Sequence, residues 1–482
     1  VYKRQGQDGS EAFHPQEHPS PMPHDPPLTP ILDLLHRIPL SAKVVLDVGC
    51  GAGDLLAAYR AYNPTARLLG MEADADAAAI AARRLDEVAV GAPDTDPLPF
   101  DVAEGIDCIV YSTALQTVAE PFELLRRHAR LLAPDGVMLI LVPNVEHWSF
   151  VSRLLAGTWD YDASGLLDRR HLRWFTLDGM RRGLAEIGLD PCDAHARVFD
   201  GENAAQFTAA LAPALETLGI DAEAYRRRAS PLQYVWRVRR EPRQRLILAG
   251  NMMAPVGGVS HVRILHPLNA LTTDPSVIVQ LTDRLDMNLP REGVARIFVL
   301  HRPALSGAQG REVLQRLWDD GWLVVTEYDD HPDFFRNMQD DEQLTFRGVH
   351  AVQTSTPALA EVLRRRNPEI AVFPNALLTL PEVGNFADPS AMTLFFGALN
   401  READWRGLIG AINEAIPRLG DRLRFHVIHD GGFFEALRTP HKTFTPICDY
   451  ETYLKILGQC EISFMPLEDN GFNRAKSDLK FI

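Results

Sequence analysis

Ser41 to Gly53 reads SAKVVLDVGCGAG, a short β-branched apolar run followed at once by glycines at three alternate positions, Gly49, Gly51 and Gly53. The run predicts a buried strand and the glycines a tight turn at its end. Glycine is needed there because the backbone must bend sharply and come close to a ligand, and a Cβ obstructs both. Asp54 to Tyr59 (DLLAAY) then opens a helix, and Arg67 to Met71 (RLLGM) is a second apolar run ending on Glu72, 25 residues after Asp47. An acid at the tip of the second strand can accept both hydroxyl protons of a ribose. Strand, glycine turn, helix and acid-tipped strand predict a Rossmann-like α/β sheet that binds a nucleoside-containing ligand.

The spacing GxGxG differs from the dinucleotide GxGxxG. With Asp47 two residues before the first glycine, it resembles motif I of S-adenosylmethionine (SAM)-dependent methyltransferases of class I. The resemblance extends over residues 31 to 240. A helix from Asp74 to Val90 follows the acid, then a strand IDCIVY (Ile106 to Tyr111), a helix ending LLAPDG (Leu131 to Gly136) and a strand leading to PNVEHW. GTWDY (Gly157 to Tyr161), LLDRRHLRWFT (Leu166 to Thr176) and a closing strand QYVWRV (Gln233 to Val238) complete it. The resemblance implies SAM as cofactor, with Gly49, Gly51 and Gly53 under its methionine part, Asp47 facing its amino group and Glu72 holding the ribose. It also places His147 and His171 near the acceptor pocket. Either could serve as the base that takes a hydroxyl proton. Both sit beside aromatic residues, so a structural histidine is the alternative reading for each.

The chain departs from the family at two places. Where relatives read Gly-Asp-x-Glu and an acid reaches the adenine, this chain reads Gly91-Ala92-Pro93-Asp94, so Asp94 is the remaining candidate. Where they read Asp-x-Leu-Glu-His, it has Thr113-Ala114-Leu115-Gln116-Thr117, which removes three ionisable side chains from the cleft. These changes fit an active enzyme of altered specificity, and equally a domain serving as a scaffold.

Composition sets the frame around that domain. With 482 residues the chain suits two or three domains, and 46% hydrophobic with 23% charged residues is the composition of an ordinary globular protein. Lys plus Arg number 49 against 64 Asp plus Glu, and the formal charge of −15 opposes attraction to phosphate backbones, so nucleic acid is not expected as a partner. The five cysteines are scattered and never spaced CxxC, which points away from disulfides and zinc and toward a reducing cytoplasm. No apolar run reaches the roughly 20 residues of a membrane helix. Peripheral membrane contact and oligomeric state are left open by the sequence.

Residues 1–5 (VYKRQ) read like a translated sequencing-adapter end, and the Pro-rich, polar stretch 6–30 reads as a disordered linker. The chain ends at Phe481-Ile482 inside an expected αβ unit, so a fragment is expected. Arg237 to Arg245 (RVRREPRQR) reads as a solvated connector closing the methyltransferase-like domain at residue 242.

From Leu246 strands and helices alternate again: LILAG, a Gly257-Gly258 turn into a helix, ARIFVLHR, WLVVTEYDD, VHAVQTS and AVFPNAL, then MTLFFGALN, LRFHVIHD and CEISFMPL. Such alternation predicts parallel sheets. Two Rossmann-like halves, residues 243–388 and 389–482, look like the GT-B fold of glycosyltransferases, the second half truncated. The ending LEDNGFNRAKSDLKFI resembles the donor site of retaining, group 1-like glycosyltransferases, in which a helix N-terminus and cations meet a nucleotide diphosphate.

By that resemblance Asn473, Lys476, Ser477 and Asp478 match donor-binding positions, Gly397 and Arg401 match a loop near the phosphates, with Arg406 a further candidate, and Gly257 and Gly258 match a glycine turn facing the ligand. The substrate implied is a nucleotide sugar, and the acceptor a glycan or lipid-linked saccharide. The carboxylates of Glu327-Tyr328-Asp329-Asp330 are not expected to hold metal, because basic groups normally neutralise the diphosphate in this fold. His331 and His429, at strand ends, line the crevice or cap the strands. The combined expectation is a bifunctional transferase of bacterial surface polysaccharide synthesis, with a non-catalytic methyltransferase-like module as the alternative.

Overall fold

The structure, a computed structural model, describes residues 29–162, 165–251, 257–282, 294–335, 338, 342–378, 390–398 and 401–477. Residues 1–28, which include almost all of the expected linker, and Asp478 lie outside the described residues. A helix already begins at Thr29, two residues inside the stretch read as linker.

Seven strands, β1 (Val44–Val48), β2 (Arg67–Glu72), β3 (Glu87–Val90), β4 (Ile106–Tyr111), β5 (Leu132–Pro143), β6 (Asp190–Arg197) and β7 (Gln233–Arg239), form one sheet in the order β3-β2-β1-β4-β5-β7-β6. β1 to β5 run parallel, and β7 lies antiparallel between β5 and β6. After β3 the chain crosses back over β1 to start β4, so winding reverses between β1 and β4. The crevice beyond the carboxyl ends of those two strands is where an open α/β sheet takes its ligand.

Both faces of the sheet are covered, as a parallel sheet requires. Leu46, Val48, Ile109 and Tyr111 enter one core with Leu124 and Leu125. Val45, Cys108 and Val110 enter the other with Leu34, Leu56 and Tyr59. The helix expected over 74–90 is shorter, Ala75–Ala81, capped by the Asp74 carboxylate. Asp86 ends it: its backbone N–H bonds Leu68 O (3.0 Å) and its carboxylate accepts from Leu68 N (2.7 Å), drawing Glu87–Val90 alongside β2 as β3.

The basic stretch that begins at Arg237, inside β7, is not a solvated connector throughout. Arg237 bonds the Asp193 carboxylate (Nε to Oδ2, 2.9 Å) and Thr272 O (2.5 Å). Arg239 is 5% exposed and bonds Asp274 (2.7 Å) and Ser276 (3.2 Å). The two arginines thus pin the first sheet to residues 272–276, the segment of the second unit that leads into its strand at Val277.

A second sheet holds β8 (Leu246–Asn251), β9 (Val277–Thr282), β10 (Ala295–His301), β11 (Leu323–Glu327), β12 (Ala351–Thr354) and β13 (Ile370–Val372), in the order β13-β12-β11-β10-β8-β9. A third holds β14 (Met392–Gly397), β15 (Leu423–Ile428), β16 (Lys442–Thr445) and β17 (Ile462–Ser463), in the order β16-β15-β14-β17. All pairings in both are parallel, as the alternation predicts. Among the described residues no helix is long and apolar enough to cross a membrane.

Candidate functional site

The glycine turn after β1 uses its three glycines differently. All have positive φ: +78° at Gly49, +54° at Gly51 and +80° at Gly53. A Cβ on Gly53 would stand 3.3 Å from Ala81 and Leu85, so this glycine lets the turn pack on the next helix. A Cβ on Gly49 would meet the Ala114 methyl at 3.0 Å. Gly51 alone of the three has nothing within 4 Å, and so gives the turn a face open to a ligand. Its N–H donates to Glu72 Oε2 (2.8 Å), while Asp74 N–H donates to Oε1 (3.0 Å). Glu72 at the tip of β2 is therefore held by two backbone amides beside the open glycine, with lone pairs left for hydroxyl donors.

Asp47 lies in the middle of the sheet, paired with Gly70 and Val110, and is 1% exposed. Burial pushes its carboxyl up to about 7; a bond from the Ser112 hydroxyl opposes this and the Glu72 charge adds to it. A buried carboxyl of this kind gains from a cation brought next to it. Asp94 is half-buried, and its carbonyl accepts from Arg127 Nη1 (3.0 Å). The residue that closes the turn after β3 is instead Asp96, whose carboxylate accepts from Ala92 N (2.8 Å). Sequence reasoning missed it; the signal is Gly91, where a Cβ would stand 2.8 Å from Asp96 Oδ2.

Gln116 and Thr117 form a single turn, Leu115–Thr117, just after β4. Thr117 Oγ1 bonds Ala114 O (2.8 Å), and Gln116 O accepts from Leu172 N (2.8 Å) and Arg173 N (3.1 Å). The DRRHLRW segment is thereby strapped across the crevice edge. Arg170 on this strap forms a bidentate pair with Asp168, which raises its proton affinity, and the Glu72 charge contributes further.

The two candidate histidines differ. His171 is half-buried, and its Nδ1 lies 3.3 Å from Leu166 O. A carbonyl only accepts, so this bond puts the proton on Nδ1 and leaves a lone pair on Nε2. Burial lowers its pKa, so the ring is neutral near pH 7. His147 is 3% exposed and caps the helix Trp148–Leu155, its Nδ1 accepting from Ser149 N (3.4 Å) and lying 2.7 Å from Ser149 Oγ. Burial drives it down to about 4. That is a capping role with weak basicity, and His171 is the better placed base of the two.

Where the second and third sheets meet, a second set of charged groups gathers. Gly257 and Gly258 open a helical run, Gly257–Ser260, that continues without a break to Leu271. A Cβ on Gly258 would stand 2.6 Å from the Tyr450 ring, which also stacks on His261 at 4.9 Å. Gly397 faces Phe395 and Tyr453. Arg401 bonds Asn473 Oδ1 (2.6 Å) and Asp404 (2.9 Å), and Arg406 pairs with Glu402 on its own helix. Lys476 pairs with Asp330, which also pairs with Arg302, and Ser477 Oγ accepts from Asn375 Nδ2 (2.7 Å).

Arg263 makes a buried bidentate pair with Glu327 (2.8 and 2.9 Å) and reaches Asn375 (2.9 Å). Burial raises Glu327 to about 7 against the pull of Arg263. Arg263 and Asn375 carried no sequence signal, because both act through tertiary neighbours. His331 and His429 each bury an Nδ1 near these strand ends. Among the described residues no group of three or more His, Cys, Asp or Glu could hold a metal ion.

Residues 26–193 match the model of the family described as "Methyltransferase domain". Similar curated proteins include trans-aconitate 2-methyltransferases of Methylobacterium nodulans, 36% identical over 27% of this chain and 50% of that protein, and of Escherichia coli, 31% identical over 24% of this chain and 45% of that protein. The chain spans about half the length of the curated relatives it matches. Among solved structures, the plantazolicin methyltransferase BpumL in complex with SAH is 16% identical, covering 45% of this chain and 87% of that one with a TM-score of 0.30.

Proposed function

From the premise that this chain carries a class I, SAM-dependent methyltransferase domain, we propose that residues 31–242 bind SAM on the Asp47–Gly53–Glu72 cradle and methylate a hydroxyl, with His171 as base. The observation that carries this is the open Gly51 face beside a Glu72 carboxylate fixed by two amides at the sheet's switch point. The residues present fit the cofactor: a carboxylate for ribose hydroxyls, a buried carboxyl for an ammonium and a turn without side chains between them. SAM held there would supply an electrophilic sulfonium methyl group for the acceptor oxygen, with the neutral thioether as leaving group. The chain orients the acceptor and takes its proton: His171 Nε2 accepts it as the hydroxyl oxygen gains the methyl group. Asp94 or Asp96, on the turn after β3, is proposed for the adenine.

We assign the second and third sheets (243–388 and 389–482) to a GT-B glycosyltransferase, with Arg401, Asn473, Lys476 and Ser477 toward the nucleotide sugar. Support comes from two parallel sheets joined by Lys476–Asp330 and Ser477–Asn375 contacts. The combined role is methylation and sugar transfer on a glycan or lipid-linked saccharide in the bacterial cytoplasm. Trans-aconitate, the acceptor named for the relatives, is the competing acceptor.

The test is calorimetric titration of SAM into the full chain, compared with Glu72→Gln. Micromolar binding, weakened at least tenfold (about 1.4 kcal/mol) in the variant, is the expected result. A folded chain that does not bind SAM overturns the reading and leaves a scaffold.

A further inference from the structure

Two buried polar atoms at the crevice edge have no hydrogen-bond partner: Gln116 Oε1, an acceptor, and Trp174 Nε1, a donor. Gln116 is 6% exposed. An unmet buried polar group costs about 1–3 kcal/mol, and an orphan in a native structure calls for an explanation such as a ligand it waits for. Backbone bonds tie Gln116 to the segment that carries Trp174. Gln116 O holds Leu172 N and Arg173 N, and the next residue but one, Phe175, bridges to Asn144 beyond β5. Trp174 is thus carried between the carboxyl ends of β4 and β5, on the same strap as His171. Beside it stands Trp159, 39% exposed, with ring centroids 5.8 Å from Trp174 and 5.2 Å from Phe150.

We propose that Gln116, Trp174 and Trp159 form the acceptor subsite of the methyltransferase domain and that it takes a neutral, hydroxyl-bearing sugar ring; this rests on the methyl-transfer reading above. An aromatic ring offers packing for the C–H face of a pyranose, and one free acceptor with one free donor match hydroxyls, which do both. Two of the arginines on the strap already have acidic neighbours. Arg170 is bidentate on Asp168, and Arg173 lies 3.8 Å from Glu120 with Nη1 on Leu172 O. A tricarboxylate would find no uncommitted guanidinium on those two residues. A site built to hydrogen-bond hydroxyls discriminates strongly against ligands that leave its groups unpaired.

The experiment supplies the full chain with methyl-tritiated SAM and, separately, the methyl glycosides of glucose, mannose, galactose and rhamnose, or trans-aconitate. Label transferred to a glycoside is expected, with kcat/KM at least tenfold lower in Trp174→Phe and Gln116→Leu while the Kd for SAM is unchanged. Trp159→Ala, at a partly exposed position, should raise KM with little change in kcat, which keeps the test open if a buried variant misfolds. Label on trans-aconitate alone, label on none of the acceptors, or glycoside transfer unaltered in all three variants overturns the proposal. Loss of SAM binding in the parent chain is seen by calorimetry before any acceptor is added, and defeats the methyl-transfer reading instead.

Discussion

Replacing Asp47 by Asn should make the ligand-free domain more stable above neutral pH while weakening its hold on SAM. Burial places the Asp47 carboxyl at about 7, against 3.8 for an ordinary aspartate. Between those values the folded chain keeps a proton that the unfolded chain has lost, so stability falls as pH rises, by about 1.4 kcal/mol per unit. Across the window this amounts to about 4 kcal/mol of stability, fully present below pH 3.8 and fully lost above pH 7. Asn keeps an oxygen for the Ser112 hydroxyl and carries no charge, so the variant should lack this slope. With roughly 2–4 °C per kcal/mol for a domain of this size, the gain at pH 8 is up to about 8–16 °C, and close to zero at pH 4. Thermal unfolding of parent and variant at pH 4, 6 and 8, followed by circular dichroism, measures it. Calorimetry on the same samples should show SAM affinity at least tenfold lower in the variant at pH 8. A variant less stable than the parent at pH 8 refutes the reasoning, because the ionised carboxylate must then be stabilised by the ligand-free fold.

Two further outcomes follow from the site geometry. His171→Asn should lower kcat by about 10²–10⁴, the usual worth of a positioned base, and the parent's acid limb should lie below the ordinary imidazole value of 6.5 because burial lowers His171. His147→Asn keeps a capping side chain and should leave kcat within a few-fold; a large loss there moves the base to His147. At the junction of the second and third sheets, Gly258→Ala should destabilise the chain by about 1–3 kcal/mol through collision with Tyr450, and Tyr450→Ala should recover most of the loss in a double-variant cycle read by urea unfolding. Additive effects of the two substitutions argue against the contact.

Much of the first domain was legible in the amino acids. Largely apolar runs identify β1, β2, β4 and β7, because a strand buried on both faces has to be apolar along most of its length. Edge strands do not carry that signal. β6 (DPCDAHAR) and β16 (KTFT) are polar or short and exist because a neighbouring strand offers its unpaired backbone groups. β3 was hidden inside a helix-favouring stretch until Asp86 bound Leu68. The roles of Gly49, Gly51 and Gly53 could be assigned as a group from spacing alone, since a turn of that kind excludes Cβ atoms whatever surrounds it.

Tertiary structure decided which glycine is open, since only packing puts Ala81 and Ala114 against Gly53 and Gly49. It also separated His147 from His171. Both stand beside aromatics in the sequence, but one is driven to about 4 by burial at a helix cap and the other keeps a lone pair on a strap tied to Gln116. The basic stretch from Arg237 to Arg245 reads as solvated because charge is a property of composition. Arg237 and Arg239 are paired because the segment from Thr272 to Ser276 folds against them. Residue types and their spacing determine which chemical groups a site can contain. Their ionisation, exposure and partners depend on the low-dielectric surroundings and through-space neighbours that only the folded chain creates.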